Sequence, residues 1–195
     1  MPLRVSLERM AKTVGSLLPP EQTTTIVAHS RYGILASTLA EAFPDRIERV
    51  IYLASYMLPS GKRAAEYFSW DSGSYLAPWV TISKAGMWDR LDPEIYREGL
   101  YHDCNDEDNR LGLSLLGKEP LRPALAKLHL TQDRYGRVPK AYVRLTQDRA
   151  VTPALQDRLL NETKVDRVES ISASHSAYFS KPDELVSTIL GLVKP

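Results

Sequence analysis

The strongest constraint in this sequence is an alternation of two patterns. Runs rich in β-branched and apolar residues take turns with segments of helical period. Residues 23–28 read Thr-Thr-Thr-Ile-Val-Ala and residues 49–55 read Arg-Val-Ile-Tyr-Leu-Ala-Ser. Such runs predict strands buried on both faces. Residues 141–146 and 167–172 predict two more strands. Leu7, Met10, Ala11, Val14, Leu17 and Leu18 recur at helical spacing, with Ser6 as N-cap and Pro19-Pro20 as a stop. Further helices are expected over 34–43, 153–161 and 182–193. Helices alternating with apolar strands imply a parallel sheet with crossover connections, so the expected fold class is α/β with about four strands.

Between residues 57 and 139 this rhythm breaks. Pro59, Pro78, Pro93, Pro120, Pro123 and Pro139 punctuate the stretch, and its helical pieces, 92–101 and 107–116, are short. Tyr67, Phe68, Trp70, Trp79 and Trp88 crowd its first half. The change predicts a mostly helical cap (57–139) inserted between two parts of one core (1–56 and 140–195). Together with Tyr32, the aromatic residues suit the lining of an apolar substrate pocket; equally, they suit a small core of the cap itself.

Composition removes several functions. The 195 residues suit one domain carrying an insertion. Lys and Arg number 25 against 24 Asp and Glu, so a net charge of +1 gives no reason to expect nucleic acid or a membrane surface as partner. Cys104 is the sole cysteine, which excludes an intrachain disulfide and fits a reducing compartment. Arg4, Glu8 and Arg9 interrupt any apolar leader. No apolar run approaches the ~20 residues needed to span a bilayer. A cytoplasmic protein is expected. His102, His129 and Cys104 lack ligand-like spacing, so no metal is expected.

The chemistry concentrates at strand ends. Ala28-His29-Ser30-Arg31-Tyr32-Gly33 puts a serine on a tight strand-to-helix turn. A nucleophile elbow has that placement, with small residues around the serine so that strand and helix can approach. Tyr32 puts bulk where glycine is usual, and Gly33 offers relief one residue later. Asp148 follows the third strand and His175 the fourth. Taken singly, Ser30 reads as a helix cap, Asp148 as a turn residue and His175 as a loop residue. Taken together, the order Ser, Asp, His, each at a C-terminal strand end, points to a nucleophile, an orienting acid and a general base. His29 is expected to support the turn.

Three groups of residues carry a family resemblance: Val27 to Gly33, Ala42 to Ile47 and Val50 to Ser55. Others are Leu100-Tyr101-His102-Asp103-Cys104, Tyr135 to Pro139, Thr146 to Val151, and Ser174-His175-Ser176 with Ser180-Lys181-Pro182. The chain resembles the α/β-hydrolase superfamily, and within it bacterial esterase-like relatives of plant methylesterases and hydroxynitrile lyases. The resemblance implies a cofactor-free serine hydrolase acting on small esters, with catalytic Ser30, Asp148 and His175 and an oxyanion-hole N–H from Arg31. It also implies strands ahead of the helix at 6–18, with a His-Gly-type loop supplying the second oxyanion donor. This chain is expected to lack both, which would leave the strand at residues 23–28 as a bare edge open to self-association. Two other readings stand beside the esterase. One is a weakly active or inactive remnant that binds a ligand or partner through the cap. The other is a carbon–carbon lyase, disfavoured because Ser176 stands where that branch carries lysine.

Overall fold

The computed structural model describes residues 5–193, so Arg4 lies outside the described residues. Helix α1 (Leu7–Gly15) starts where Ser6 Oγ accepts a hydrogen bond from Arg9 N, and it ends short of the expected residue 18. Strand β1 (Thr24–His29) enters a 3₁₀ turn at Ser30–Tyr32, followed by α2 (Gly33–Ala42) and β2 (Ile47–Leu53). The punctuated stretch holds α3 (Ala64–Trp70), β3 (Val80–Ile82), β4 (Trp88–Leu91), α4 (Tyr96–Leu100), α5 (Asp106–Leu115), β5 (Glu119–Pro120) and α6 (Leu121–Leu125). The chain then returns through β6 (Lys140–Leu145), α7 (Pro153–Glu162), β7 (Arg167–Ile171), α8 (Ala177–Ser180) and α9 (Pro182–Val193).

Four strands form one parallel sheet in the order β1-β2-β6-β7. Its two central strands are sealed on both faces. Tyr52 and Tyr142 point into a cluster with Ala11, Leu39 and Ala40 from α1 and α2. Ile51 and Val143 point the other way, onto Leu185 and Leu192 of α9. Alternate side chains of a strand face opposite sides, so a continuous apolar run is what helices on both faces require.

The outer strands differ from that picture. β1 is expected to be buried on both faces, yet only Ala28 within it is buried, and Val27 is 45% exposed. It lies at the edge of the sheet, where one side has no neighbouring strand among the described residues. β7 at the opposite edge buries only Ile171.

The stretch between β2 and β6 contains the expected short helices and also a feature not expected. β3, β4 and β5 form a small antiparallel sheet, with Val80 opposite Leu91 and Trp88 opposite Pro120. Residues 83–87 turn the chain between β3 and β4, with Gly86 at φ +62°. Strands of two to four residues carry too little alternation to be read against six prolines.

Candidate active site

Parallel strands end together at one edge of the sheet, and the loops leaving those ends converge. His29 at the end of β1 pairs in register with Leu53 of β2, and Leu145 of β6 with Ile171 of β7. Ser30, Asp148 and His175 each follow within a few residues of such an end. Their side chains form one chain of hydrogen bonds. Ser30 Oγ lies 2.9 Å from His175 Nε2, and His175 Nδ1 lies 2.7 Å from Asp148 Oδ2. A carboxylate can only accept, so Nδ1 carries the proton and Nε2 is left to accept from the serine hydroxyl. Asp148 is 3% exposed and His175 4%. The second carboxylate oxygen of Asp148 accepts from the backbone N–H groups of Ala150 and Val151 at 2.7 and 2.9 Å. The carboxylate is thereby fixed in orientation and its buried charge is satisfied.

Ser30 stands on a strained backbone. Its φ is +55°, in the left-handed region that non-glycine residues enter at a cost of roughly 1–3 kcal/mol. The loop after β2 holds it there. The Ser30 carbonyl accepts from Ser55 Oγ at 2.6 Å and from Tyr56 N at 3.0 Å. Ser55 is anchored in turn by Tyr142 Oη, which accepts from Ser55 N at 3.0 Å and donates to Ser55 O at 3.1 Å. The close approach also explains the glycine pattern. A Cβ on Gly33 would come within 2.5 Å of Ser55 Oγ and 2.7 Å of the Tyr56 carbonyl, so the indispensable small residue is Gly33. Tyr32 points outward and donates to Glu119 Oε2 at 2.5 Å.

The residues preceding and following Ser30 tie the turn to its surroundings. His29 Nε2 donates to the His175 carbonyl at 2.8 Å. Burial, helped by the adjacent His175, pushes the His29 imidazole well below its ordinary value, so it stays neutral. Arg31 makes a two-pronged ion pair with Asp89 of β4, both contacts at 3.0 Å. The loops bearing the acid and the histidine are held from the same side. Asp71 accepts from Thr152 N at 3.0 Å and from Thr152 Oγ1 at 2.5 Å, and Ser74 Oγ donates to the Ala150 carbonyl. Asp103 accepts from Ser174 N at 2.8 Å. Burial works to raise the Asp103 carboxyl, but the hydrogen bonds from Ser174 outweigh it and hold it below the ordinary range.

Ser30 opens onto a cavity of about 350 Å³. Its wall is apolar, with Phe68, Leu76, Val80, Ile82 and Leu125 among its side chains, and Arg31 and Asp89 supply its charged pair. Of the aromatic residues expected to line a pocket, the structure places Phe68 here. The other five do not line this cavity. Tyr67 precedes Phe68 by one helical step and turns inward to bond Glu162. Trp70 lies under the Arg158 guanidinium and Trp88 under the Lys118 ammonium, both packed against cations. Trp79 is at the surface, and Tyr32 lies between α1 and β5. Ala64, Leu121, Ala124 and Val151 fill the wall instead. A larger cavity of about 550 Å³ lies at the opposite ends of the strands, near Arg49, Lys140 and Arg167, remote from Ser30.

Several contributors escape sequence reading. Ser55 and Asp103 fall inside the segments that carry the family resemblance, which is a usable signal. Asp71, Asp89 and Tyr142 have none, because only the fold brings them near. Among the described residues no group of His, Cys, Asp and Glu is arranged to hold a metal ion, and no helix is long and apolar enough to cross a membrane.

The chain is similar to known proteins over most of its length. It is 29% identical over 202 residues to the putative methylesterase 14, chloroplastic, of Arabidopsis thaliana, covering 97% of this chain and 58% of that protein. It is 27% identical over 186 residues to methylesterase 7 of the same plant, covering 91% of this chain and 72% of that one. The chain thus spans somewhat over half the length of the first of these relatives. In fold it matches a methylesterase from Arabidopsis with a TM-score of 0.82 at 23% identity, covering 96% of this chain and 78% of the other. It matches a pyrethroid hydrolase from Sphingobium faniae with a TM-score of 0.83 at 21% identity, again covering 96% and 78%. The alpha/beta hydrolase family model aligns with residues 4–188. A parallel sheet with its turns converging at one edge, and a family match across almost the whole sequence, lead to one conclusion: this chain belongs to the alpha/beta hydrolase family.

Proposed function

We propose that the chain is a serine hydrolase of the carboxylesterase type acting on small neutral esters. The observation that carries this reading is the hydrogen-bonded sequence Ser30–His175–Asp148, at 2.9 and 2.7 Å, beside an apolar cavity. Relatives that are methylesterases support the ester as substrate class. In this reading Ser30 Oγ attacks the ester carbonyl carbon while His175 Nε2 takes its proton. Asp148 stabilises the imidazolium through Nδ1–H. The oxyanion is received by the Arg31 N–H at the start of the turn. His175 then delivers its proton to the departing alcohol oxygen, leaving Ser30 acylated. Water, deprotonated by His175, attacks the acyl carbonyl, and Ser30 regains its proton as the acid leaves.

A carbon–carbon lyase has less support. Ser176 contacts the Tyr178 hydroxyl at 3.2 Å, and the cavity wall contains no lysine among the described residues. We also propose a cytoplasmic location, supported by an unpaired, buried Cys104. Self-association through the exposed side of β1 is part of the same proposal, and a monomer in sedimentation would refute it. The test of the catalytic reading is hydrolysis of short aryl esters by the wild type and by Ser30→Ala. A loss of roughly 10³-fold or more supports it, and equal rates would exclude it.

A further inference from the structure

Tyr56 stands apart from most of the buried tyrosines. It is 5% exposed, yet its hydroxyl makes no hydrogen bond to any described residue. Tyr52, Tyr96 and Tyr142, comparably buried, each engage their hydroxyl with a partner. A buried hydroxyl left unpaired costs about 1–3 kcal/mol, so such a group calls for an explanation. Among the described residues, the polar side-chain atoms that are fully enclosed and unpartnered are Arg46 Nε, His102 Nδ1, Arg144 Nε and Ser180 Oγ. Tyr56 Oη is not among them, so it keeps some accessible surface, and Tyr56 lines the cavity at Ser30. Its backbone N–H donates to the Ser30 carbonyl at 3.0 Å, which keeps it next to the nucleophilic turn.

The other polar groups of the cavity are accounted for. Arg31 and Asp89 satisfy each other, Ser69 lies in the exposed rim, and Ser30 is committed to His175. Apolar atoms make up the rest of the wall. A pocket of this kind discriminates little by shape alone, whereas a buried, unpaired donor rejects ligands that leave it unpaired.

We propose that the Tyr56 hydroxyl is the specificity-determining donor of the cavity, and that the substrates are neutral esters carrying a second acceptor oxygen, an alkoxy or keto group, close to the scissile carbonyl. Burial, with Asp71 nearby, pushes the Tyr56 phenol up, so it remains a donor throughout the neutral range. A carboxylate-bearing ester is a poor candidate, because Arg31, the cation in the wall among the described residues, is already matched by Asp89.

The proposal rests on the esterase reading, and the experiment separates the two. Hydrolysis by wild type and Tyr56→Phe is compared on two matched pairs: phenyl methoxyacetate with phenyl butyrate, and 2-methoxyethyl butyrate with pentyl butyrate. Binding of the same esters to Ser30→Ala, with and without Tyr56→Phe, is measured by calorimetry. We expect Tyr56→Phe to lower kcat/KM about 2- to 12-fold for the methoxy member of one pair, with its partner and the melting temperature unchanged. The same preference should appear in binding. Equal loss on both members of each pair, or no loss on any, overturns the role of Tyr56. If no ester is turned over above the Ser30→Ala background, the esterase reading fails. Binding then decides about Tyr56: a methoxy preference removed by Tyr56→Phe upholds its donor role, and binding without that preference overturns it.

Discussion

His29 Nε2 donates a 2.8 Å hydrogen bond to the backbone carbonyl of His175, and the two rings lie 4.3 Å apart. The residue before Ser30 therefore grips the residue to which Ser30 is bonded. Two loops from opposite edges of the sheet are joined beside the hydrogen bond between Ser30 Oγ and His175 Nε2. Tyr178 closes the outer side, its ring edge-on to His29 at 5.3 Å.

In the proposed reaction this contact would make His29 a positioning residue, and its substitution tests that role. His29→Phe keeps a flat ring and removes the donor. We expect kcat to fall about 3- to 10-fold with KM little changed, matching the loss of one ordinary hydrogen bond. His29→Gln, which can still donate, should recover part of the loss. Steady-state kinetics on one aryl ester checks both variants.

The same histidine couples stability to pH. Its folded-state value lies below the ordinary 6.5, so the unfolded chain binds a proton at a pH where the folded chain does not. The stabilisation from its neutral form is complete above about 6.5 and is lost as pH falls from there toward the folded value. Urea midpoints taken from about pH 7 down to pH 5 should decline, and the decline should be shallower in His29→Gln. Parallel curves for the two proteins would show that the slope arises elsewhere.

Tyr142 is expected to matter more for stability than its distance from the cavity suggests. It has no exposed surface, and its hydroxyl satisfies both the N–H and the carbonyl of Ser55. Tyr142→Phe leaves the Ser55 N–H buried and unpaired, while the Ser55 carbonyl keeps the bond it accepts from Met57 N at 2.9 Å; the cost is about 1–3 kcal/mol. The Ser30 turn loses its support together with Ser55. Denaturant unfolding should show the destabilisation, and activity measured well below the unfolding midpoint should fall as well.

Charge selectivity should respond to Asp89. With Asp89→Asn the Arg31 guanidinium in the cavity wall loses its counter-charge. Hydrolysis of a hemi-ester of a dicarboxylic acid, relative to a neutral ester of the same length, should rise roughly five- to tenfold. The modest figure reflects a guanidinium that is about one-third exposed, with its side chain 32% accessible. An unchanged ratio would mean that Arg31 does not face the acyl or alkoxy group.

The core of the fold was legible because its signals are long. β2 carries an unbroken apolar run from Val50 to Leu53 and β6 one from Ala141 to Val143, and α9 matches its expected bounds at Pro182 and Val193. The linear order of Ser30, Asp148 and His175 was equally legible, since it depends on where strands end and not on where side chains point. The cavity wall was not. Tyr67 and Phe68 are neighbours in α3, yet one bonds Glu162 inside the protein while the other lines the cavity. Composition cannot divide such a pair, because helix rotation decides between them. Tyr56 carries no sequence signal for a related reason. It lies just beyond a strand, among residues that read as core, and its significance comes from an absent partner.

The proposed activation of Ser30 by His175, with Asp148 holding the imidazole, is open to covalent labelling. The protein is treated with diethyl 4-nitrophenyl phosphate, and the product is weighed intact and mapped by peptide mass spectrometry. We expect one diethylphosphoryl group per chain, located on Ser30, forming at least about 10²-fold more slowly in His175→Ala. Absence of the adduct, or labelling elsewhere at a rate indifferent to His175, would contradict a nucleophilic Ser30.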